Sequence, residues 1–149
     1  MTGKSDFSTE EWDLVAQGPA TAGLILVTAH RGGTFRETLA LTRAYVEARR
    51  AHGQSELLDE IVSAKPQLDH TRYHSPEELR EHGLQHLRDA VALLEQKATP
   101  EELDAYKRFV LDLAKEVASA HREEGDDAVS PSERTALDQI AEAVGTNPA

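Results

Sequence analysis

The feature that most constrains this chain is a helix-start signal that recurs along its length. A serine or threonine stands three residues before a glutamate, so that each side chain can accept a hydrogen bond from the other residue's backbone N–H. The pairs are Ser8/Glu11, Thr34/Glu37, Ser75/Glu78, Thr99/Glu102 and Ser130/Glu133. Pro76, Pro100 and Pro131 follow three of these starts, at the position where a backbone N–H has no helical partner. Five such starts in 149 residues predict an all-α fold.

Apolar residues recur every three or four positions after these starts, a spacing typical of the buried face of a helix. The spacing predicts helices over residues 34 to about 52, 57–62, 76–98, 100–124 and 137–144. Loops are predicted at residues 17–19, 31–33, 65–74 and 124–129. We expect the core to include Val27, Leu39, Leu87, Val91, Tyr106, Val110, Leu113 and Ile140.

Residues 19–30 differ from the other segments because they have no polar face. Such a short apolar run fits either a helix surrounded by other helices or a buried strand at residues 24–27. The chain contains no second strand candidate for pairing, so we expect a central helix over residues 20–29. The prediction is one compact helical bundle of six or seven helices that forms a single domain over residues 1–149.

Composition excludes several classes of function. The chain has no cysteine, which rules out disulfides, thiolate metal sites and cysteine nucleophiles. Its formal net charge of −11 is unsuited to binding a phosphate backbone, so we expect no nucleic-acid partner. The longest apolar run is about half of the roughly 20 residues that a membrane span needs. With no secretory signal in the first residues, these features favour a cytoplasmic protein without a membrane span.

Two stretches of the chain repeat one pattern: an apolar helix end, a His-Arg pair, a glycine-containing loop and a helix-start signal. The first contains His30-Arg31 before the start at Thr34, and the second contains His121-Arg122 before the start at Ser130. The two histidines are 91 residues apart. This spacing suggests that the bundle consists of two related halves.

These repeated stretches resemble the TerB-like (tellurite-resistance) helical family, in which each of two halves has an alanine-rich helix, an Asp-Gly turn and a helix that opens with a glutamate. The matching segments here are residues 27–33 with Glu37 and residues 117–125 with Glu133. The resemblance implies an all-α bundle whose acidic turn residues bind a metal ion. The first turn of this chain has His30-Arg31-Gly32-Gly33 where the family has Asp-Gly.

The same two turns contain the first candidate metal site, formed by His30, Glu37, His121 and Glu133. If a twofold axis relates the halves, two imidazoles and two carboxylates come together, a donor set that suits zinc, manganese or iron. The ordinary explanation is that each histidine is favoured by the helix dipole at a C-terminus and each glutamate caps the next helix.

The second candidate metal site lies within one predicted helix. His82 and His86 are four residues apart, so their side chains lie on neighbouring turns and can share a metal ion. Glu78 and Asp89 continue the same face of the helix. A solvated helix face is the better explanation of these residues.

No serine-nucleophile, phosphate-loop or dinucleotide motif occurs in the chain. With no catalytic motif present, the resemblance to the TerB-like family implies a non-enzymatic module that acts in stress response or scaffolding and binds a divalent metal ion. One alternative is an acidic domain that binds a protein partner without metal. The other alternative is a small metalloenzyme that uses one of the histidine sites.

Overall fold

The computed structural model describes residues 4–29, 34–50, 56–63, 75–119 and 131–145. A short 3-10 helix over Lys4–Asp6 precedes the α-helices. The α-helices are α1 (Thr9–Ala29), α2 (Thr34–Arg50), α3 (Glu56–Ser63), α4 (Pro76–Lys97), α5 (Pro100–Ser119) and α6 (Pro131–Val144). The described ranges contain these six α-helices and no strand, which confirms the all-α prediction. The predicted relation between two halves depends on turns that lie outside these ranges.

Helix α1 is the centre of the bundle. It packs against each of the other five α-helices, and every residue from Gly18 to Leu26 is buried. The predicted central helix is therefore confirmed as far as burial is described. In the part of the chain that the structure describes, no helix is both long enough and apolar enough to cross a bilayer.

The predicted loop at residues 17–19 is wrong, because α1 continues through Pro19 without interruption. A proline within a helix removes the hydrogen bond to the carbonyl four residues earlier, which here belongs to Val15. The Tyr106 hydroxyl of α5 donates to that Val15 carbonyl at 2.7 Å. A side chain from the neighbouring helix thus replaces the missing backbone donor and allows one long helix where two shorter ones were expected.

The predicted helix starts are present where their side chains are described. At the start of α1, Ser8 and Glu11 exchange two hydrogen bonds of 2.9 and 3.1 Å. At the start of α5, Thr99 and Glu102 exchange two bonds of 2.9 and 3.2 Å. Ser75 accepts from the backbone N–H of Glu78 at the start of α4. The side chains of the pairs Thr34/Glu37 and Ser130/Glu133 lie outside the described residues.

Contacts with α1 establish the directions of its two main neighbours. Along α5, Tyr106 contacts Val15, and Leu113 lies beside Gly23, where a Cβ would be 3.1 Å from the leucine Cδ2. Both contacts advance towards the C-terminus, so α1 and α5 are parallel. Along α4 the order is reversed, since Lys97 Nζ lies 2.9 Å from Glu11 Oε1 and Gly83 packs near the C-terminal half of α1. Helices α1 and α4 are therefore antiparallel.

The predicted core is mostly confirmed. Six of the expected residues are buried, namely Leu87, Val91, Tyr106, Val110, Leu113 and Ile140. The prediction for Leu39 is wrong, since its side chain is 42% exposed. The buried face of α2 is formed by Leu41, Ala44 and Tyr45, and a residue two positions before Leu41 falls on the opposite side of a helix. The side chain of Val27 lies outside the described residues.

Candidate functional site

The structure describes only the helix positions of two residues of the first candidate metal site. His30 and His121 lie outside the described residues. Glu37 lies in the first turn of α2 and Glu133 in the first turn of α6, but their side chains are outside the description as well. Convergence of these four side chains therefore stays a prediction.

The described helices do locate the ends from which the two His-Arg turns begin. Helix α1 ends at Ala29, six residues after Gly23, and α5 ends at Ser119, six residues after Leu113. Because Gly23 and Leu113 are in contact and the two helices are parallel, both helices end at the same end of the bundle. Each of α2 and α6 packs against both α1 and α5.

The second candidate site lies in a polar groove of about 670 Å³ along α4. The residues that line this α4 groove are Leu14, Glu78, Glu81, His82, Gln85, His86, Arg88 and Asp89. His82 is exposed and His86 is half-buried, as expected for neighbouring turns at the edge of the helix interface. The predicted common face of the two histidines is thus present.

Hydrogen bonds limit what the α4 groove can bind. His86 Nε2 lies 2.7 Å from the Leu14 carbonyl oxygen, and since a carbonyl only accepts, Nε2 carries the proton and donates. Asp89 accepts from the Gln85 side chain at 2.9 Å. No three histidine, aspartate or glutamate side chains within the described ranges form a group that could hold a metal ion. A metal ion shared by His82 and His86 stays a prediction.

A second cavity, of about 190 Å³, was not predicted from the sequence. This α3–α5 pocket is lined by Ala48 from α2, by Leu58 and Asp59 from α3, and by Ala105, Arg108, Phe109 and Asp112 from α5. The sequence shows Arg108 and Asp112 one helical turn apart beside the apolar stripe, which indicates a charged edge. The sequence does not show that α3 packs against this edge and completes a pocket together with α2 and α5.

Charged residues of α2 and α5 continue from the rim of this pocket. We call them the Glu116 cluster: Arg43 and Glu47 from α2, and Asp112 and Glu116 from α5. Partial burial raises the pKa of Glu116 above its ordinary value of 4.5, and the negative charges of Glu47 and Asp112 raise it further. Arg43 opposes this rise without cancelling it. The face between α2 and α5 is therefore electronegative.

No protein-family model, curated protein or solved structure matches this chain significantly. The resemblance to the TerB-like family accordingly depends on the two repeated stretches of the sequence. Function has to be inferred from the geometry and the chemistry of the chain's own residues.

Proposed function

We propose that this chain is a TerB-like helical module without enzymatic activity, which binds one divalent metal ion and serves in stress response or scaffolding. The proposed ligands are His30, Glu37, His121 and Glu133. The observation that carries the proposal is the parallel arrangement of α1 and α5, whose C-terminal ends lie at the same end of the bundle.

This arrangement matters because each proposed imidazole follows one of those helix ends closely. His30 comes directly after the last residue of α1, and His121 comes two residues after the last residue of α5. The two helix ends that precede these histidines therefore lie at the same end of the bundle. Antiparallel helices would have carried the two histidines to opposite ends, at least the length of a helix apart.

The chemistry of the four residues fits a divalent transition metal. Two neutral imidazoles and two carboxylates provide nitrogen and oxygen donors of the kind that zinc, manganese and iron accept. The carboxylates would supply the negative charge that the first turn lacks, since it contains no aspartate. A bound ion would join both halves of the bundle at one end, which suits a structural or sensing role.

A metal titration tests the proposal. Protein stripped with a chelator is melted with increasing zinc or manganese, because a ligand that binds only the native state raises the melting temperature by mass action. At 100 times the dissociation constant the stabilisation is about 2.7 kcal/mol, or roughly 5–10 °C for a chain of this size. We expect this rise in the parent protein and its loss in a His30→Ala/His121→Ala variant.

The matched control is a His82→Ala/His86→Ala variant, which removes the other histidine pair. Because it also removes the hydrogen bond from His86 to the Leu14 carbonyl, each variant is compared with its own metal-free sample. The control should respond to metal like the parent. A response that survives the loss of His30 and His121, or no response in the parent, contradicts the proposed site.

A further inference from the structure

We propose that the α3–α5 pocket receives an arginine side chain from a basic segment of a protein partner. The pocket shares no residue with the proposed metal site, so this inference does not depend on metal binding. It rests on the size of the cavity, its apolar lining and the carboxylates at its rim.

Size restricts the occupant to something small. The volume of about 190 Å³ is below the range of roughly 300–1,000 Å³ that is usual for small-molecule and cofactor sites. It is suited to one long side chain that enters from a surface laid across α3 and α5. The pocket therefore indicates a contact with a partner protein rather than a cofactor site.

The lining suits a side chain with an apolar stem and a planar cationic end. Ala48, Leu58 and Ala105 are partly exposed and provide aliphatic surface for methylene groups. Phe109 also lines the cavity, and an edge-on contact with Tyr45 supports its ring, with the centroids 5.5 Å apart and the planes at 67°. A guanidinium group stacks on aromatic rings better than an ammonium group does.

Carboxylates stand at the rim on two sides, Asp59 from α3 and Asp112 from α5. A guanidinium group presents its donors in a fixed fork that matches carboxylate oxygens. The chain's own Arg108 also lines the pocket, but its Nε lies 3.5 Å from the Asp104 carbonyl, one turn towards the N-terminus. Asp112 lies one turn in the other direction, and with Asp59 it gives the pocket two carboxylates against the single positive charge of Arg108.

Charge around the pocket favours a partner with several basic residues. Asp112 belongs both to the pocket and to the Glu116 cluster, so the electronegative face continues from the rim to Glu47 and Glu116. The whole chain carries a net charge of −11, which would steer a basic segment towards it. A segment that places an arginine in the pocket and further basic residues over the Glu116 cluster would pair with the carboxylates of both.

The probe is a fluorescein-labelled peptide in which arginine and glycine alternate, compared with a peptide that has lysine in place of every arginine. Fluorescence anisotropy measures the dissociation constant of each peptide for the 149-residue chain at physiological ionic strength. The arginine peptide should bind at least about fivefold more tightly, because only guanidinium combines stacking with a fork of donors. Equal affinities for the two peptides, or no binding of either, would overturn the proposal.

Three variants separate docking in the pocket from general attraction to an acidic protein. Asp112→Asn removes a rim carboxylate and should weaken binding by about tenfold. Asp104→Asn makes the same change of charge on the same helix outside the pocket and should change binding by less than about twofold. Ala105→Leu changes no charge but fills the cavity, and it should weaken binding by about tenfold as well.

Thermal melts of each variant verify that the bundle is folded before binding is compared. Asp104 and Asp112 are exposed on α5, so neither amide substitution should disturb the fold. Equal weakening by Asp104→Asn and Asp112→Asn would show that only general electrostatics is at work and would overturn the proposal. Unchanged binding by a folded Ala105→Leu variant would overturn it too.

Discussion

Helices α1 and α5 lie side by side and run in the same direction, yet they contribute differently to the molecule. From Gly18 to Leu26, α1 has no exposed residue. Helix α5 alternates between a buried stripe that includes Tyr106 and Leu113 and an exposed face that includes Asp112. A helix surrounded by others can only support the fold, whereas one with a free face can also bind a partner.

The comparison also shows where a buried helix obtains its specificity. Two polar contacts of α1 with its neighbours use backbone carbonyls, with His86 donating to Leu14 and Tyr106 donating to Val15, and near its start the Glu11 carboxylate pairs with Lys97 of α4. The glycines of α1 let α4 and α5 approach closely, so added side-chain volume at these positions should lower the stability of the fold. The predictions below test this contrast, beginning with the contact that α5 makes on α1.

The largest effect is expected where the buried stripe of α5 meets α1. Leu113 is 1% exposed and packs beside Gly23. Leu113→Ala should lower the free energy of unfolding by about 2–5 kcal/mol, because transfer energy is lost and a cavity is left. Lys115→Ala, on the exposed face of the same helix, should change it by less than about 0.5 kcal/mol. Urea melts that give similar values for both variants would contradict the contrast between the two faces of α5.

A smaller loss is expected from added volume at Gly18, where α1 packs tightly against Tyr106 of α5. A Cβ at Gly18 would lie 2.0 Å from the Tyr106 hydroxyl oxygen, so Gly18→Ala must displace that hydroxyl. The expected loss is about 1–3 kcal/mol from overpacking. In a Tyr106→Phe background the clashing oxygen is gone, and the same substitution should cost clearly less. An equal loss in both backgrounds, measured by urea melts, would mean that the hydroxyl is not the obstacle.

Removing the hydroxyl alone tests the unusual path of α1 through Pro19. Burial raises the pKa of Tyr106, so the group keeps its proton and donates to the Val15 carbonyl. Tyr106→Phe leaves this buried acceptor without its donor and should lower stability by about 1–3 kcal/mol. In a Pro19→Ala background the backbone N–H of residue 19 can take over, so the loss should shrink. Additive effects in this double-mutant cycle would disprove the replacement.

The failures of sequence-based prediction in this chain have one physical cause. Helix starts were predictable because a capping pair is complete within four residues, as at Ser8/Glu11. The loop expected at residues 17–19 was wrong because the donor that replaces the proline's missing N–H is 91 residues away in the chain. Leu39 was misplaced because the apolar spacing of α2 fits more than one face, and only its neighbours select the buried one.

The two cavities follow the same rule. The α4 groove could be anticipated in part, since His82 and His86 belong to one helix and their spacing is local. The α3–α5 pocket could not, because it forms only when Leu58 and Asp59 of α3 meet Phe109 of α5. Sites formed within one helix could therefore be predicted from the sequence, whereas surfaces formed by distant segments could not.

The smallest expected effect concerns the exposed face of α5 and its dependence on pH. Partial burial and the charges of Glu47 and Asp112 raise the pKa of Glu116 in the folded chain above its ordinary value of 4.5, which applies to the unfolded chain. Between the unfolded and the folded pKa, the folded chain therefore binds more protons than the unfolded chain. Stability therefore falls as the pH rises through the folded pKa, and the ionised carboxylate destabilises the protein at pH 7. Glu116→Gln should raise the free energy of unfolding at pH 7 by up to about 0.5 kcal/mol, with the gain vanishing as the pH falls to about 4. Glu95→Gln, an exposed change on α4, is the control in urea melts at both pH values, and an equal gain from Glu116→Gln at pH 4 and pH 7 would contradict this origin.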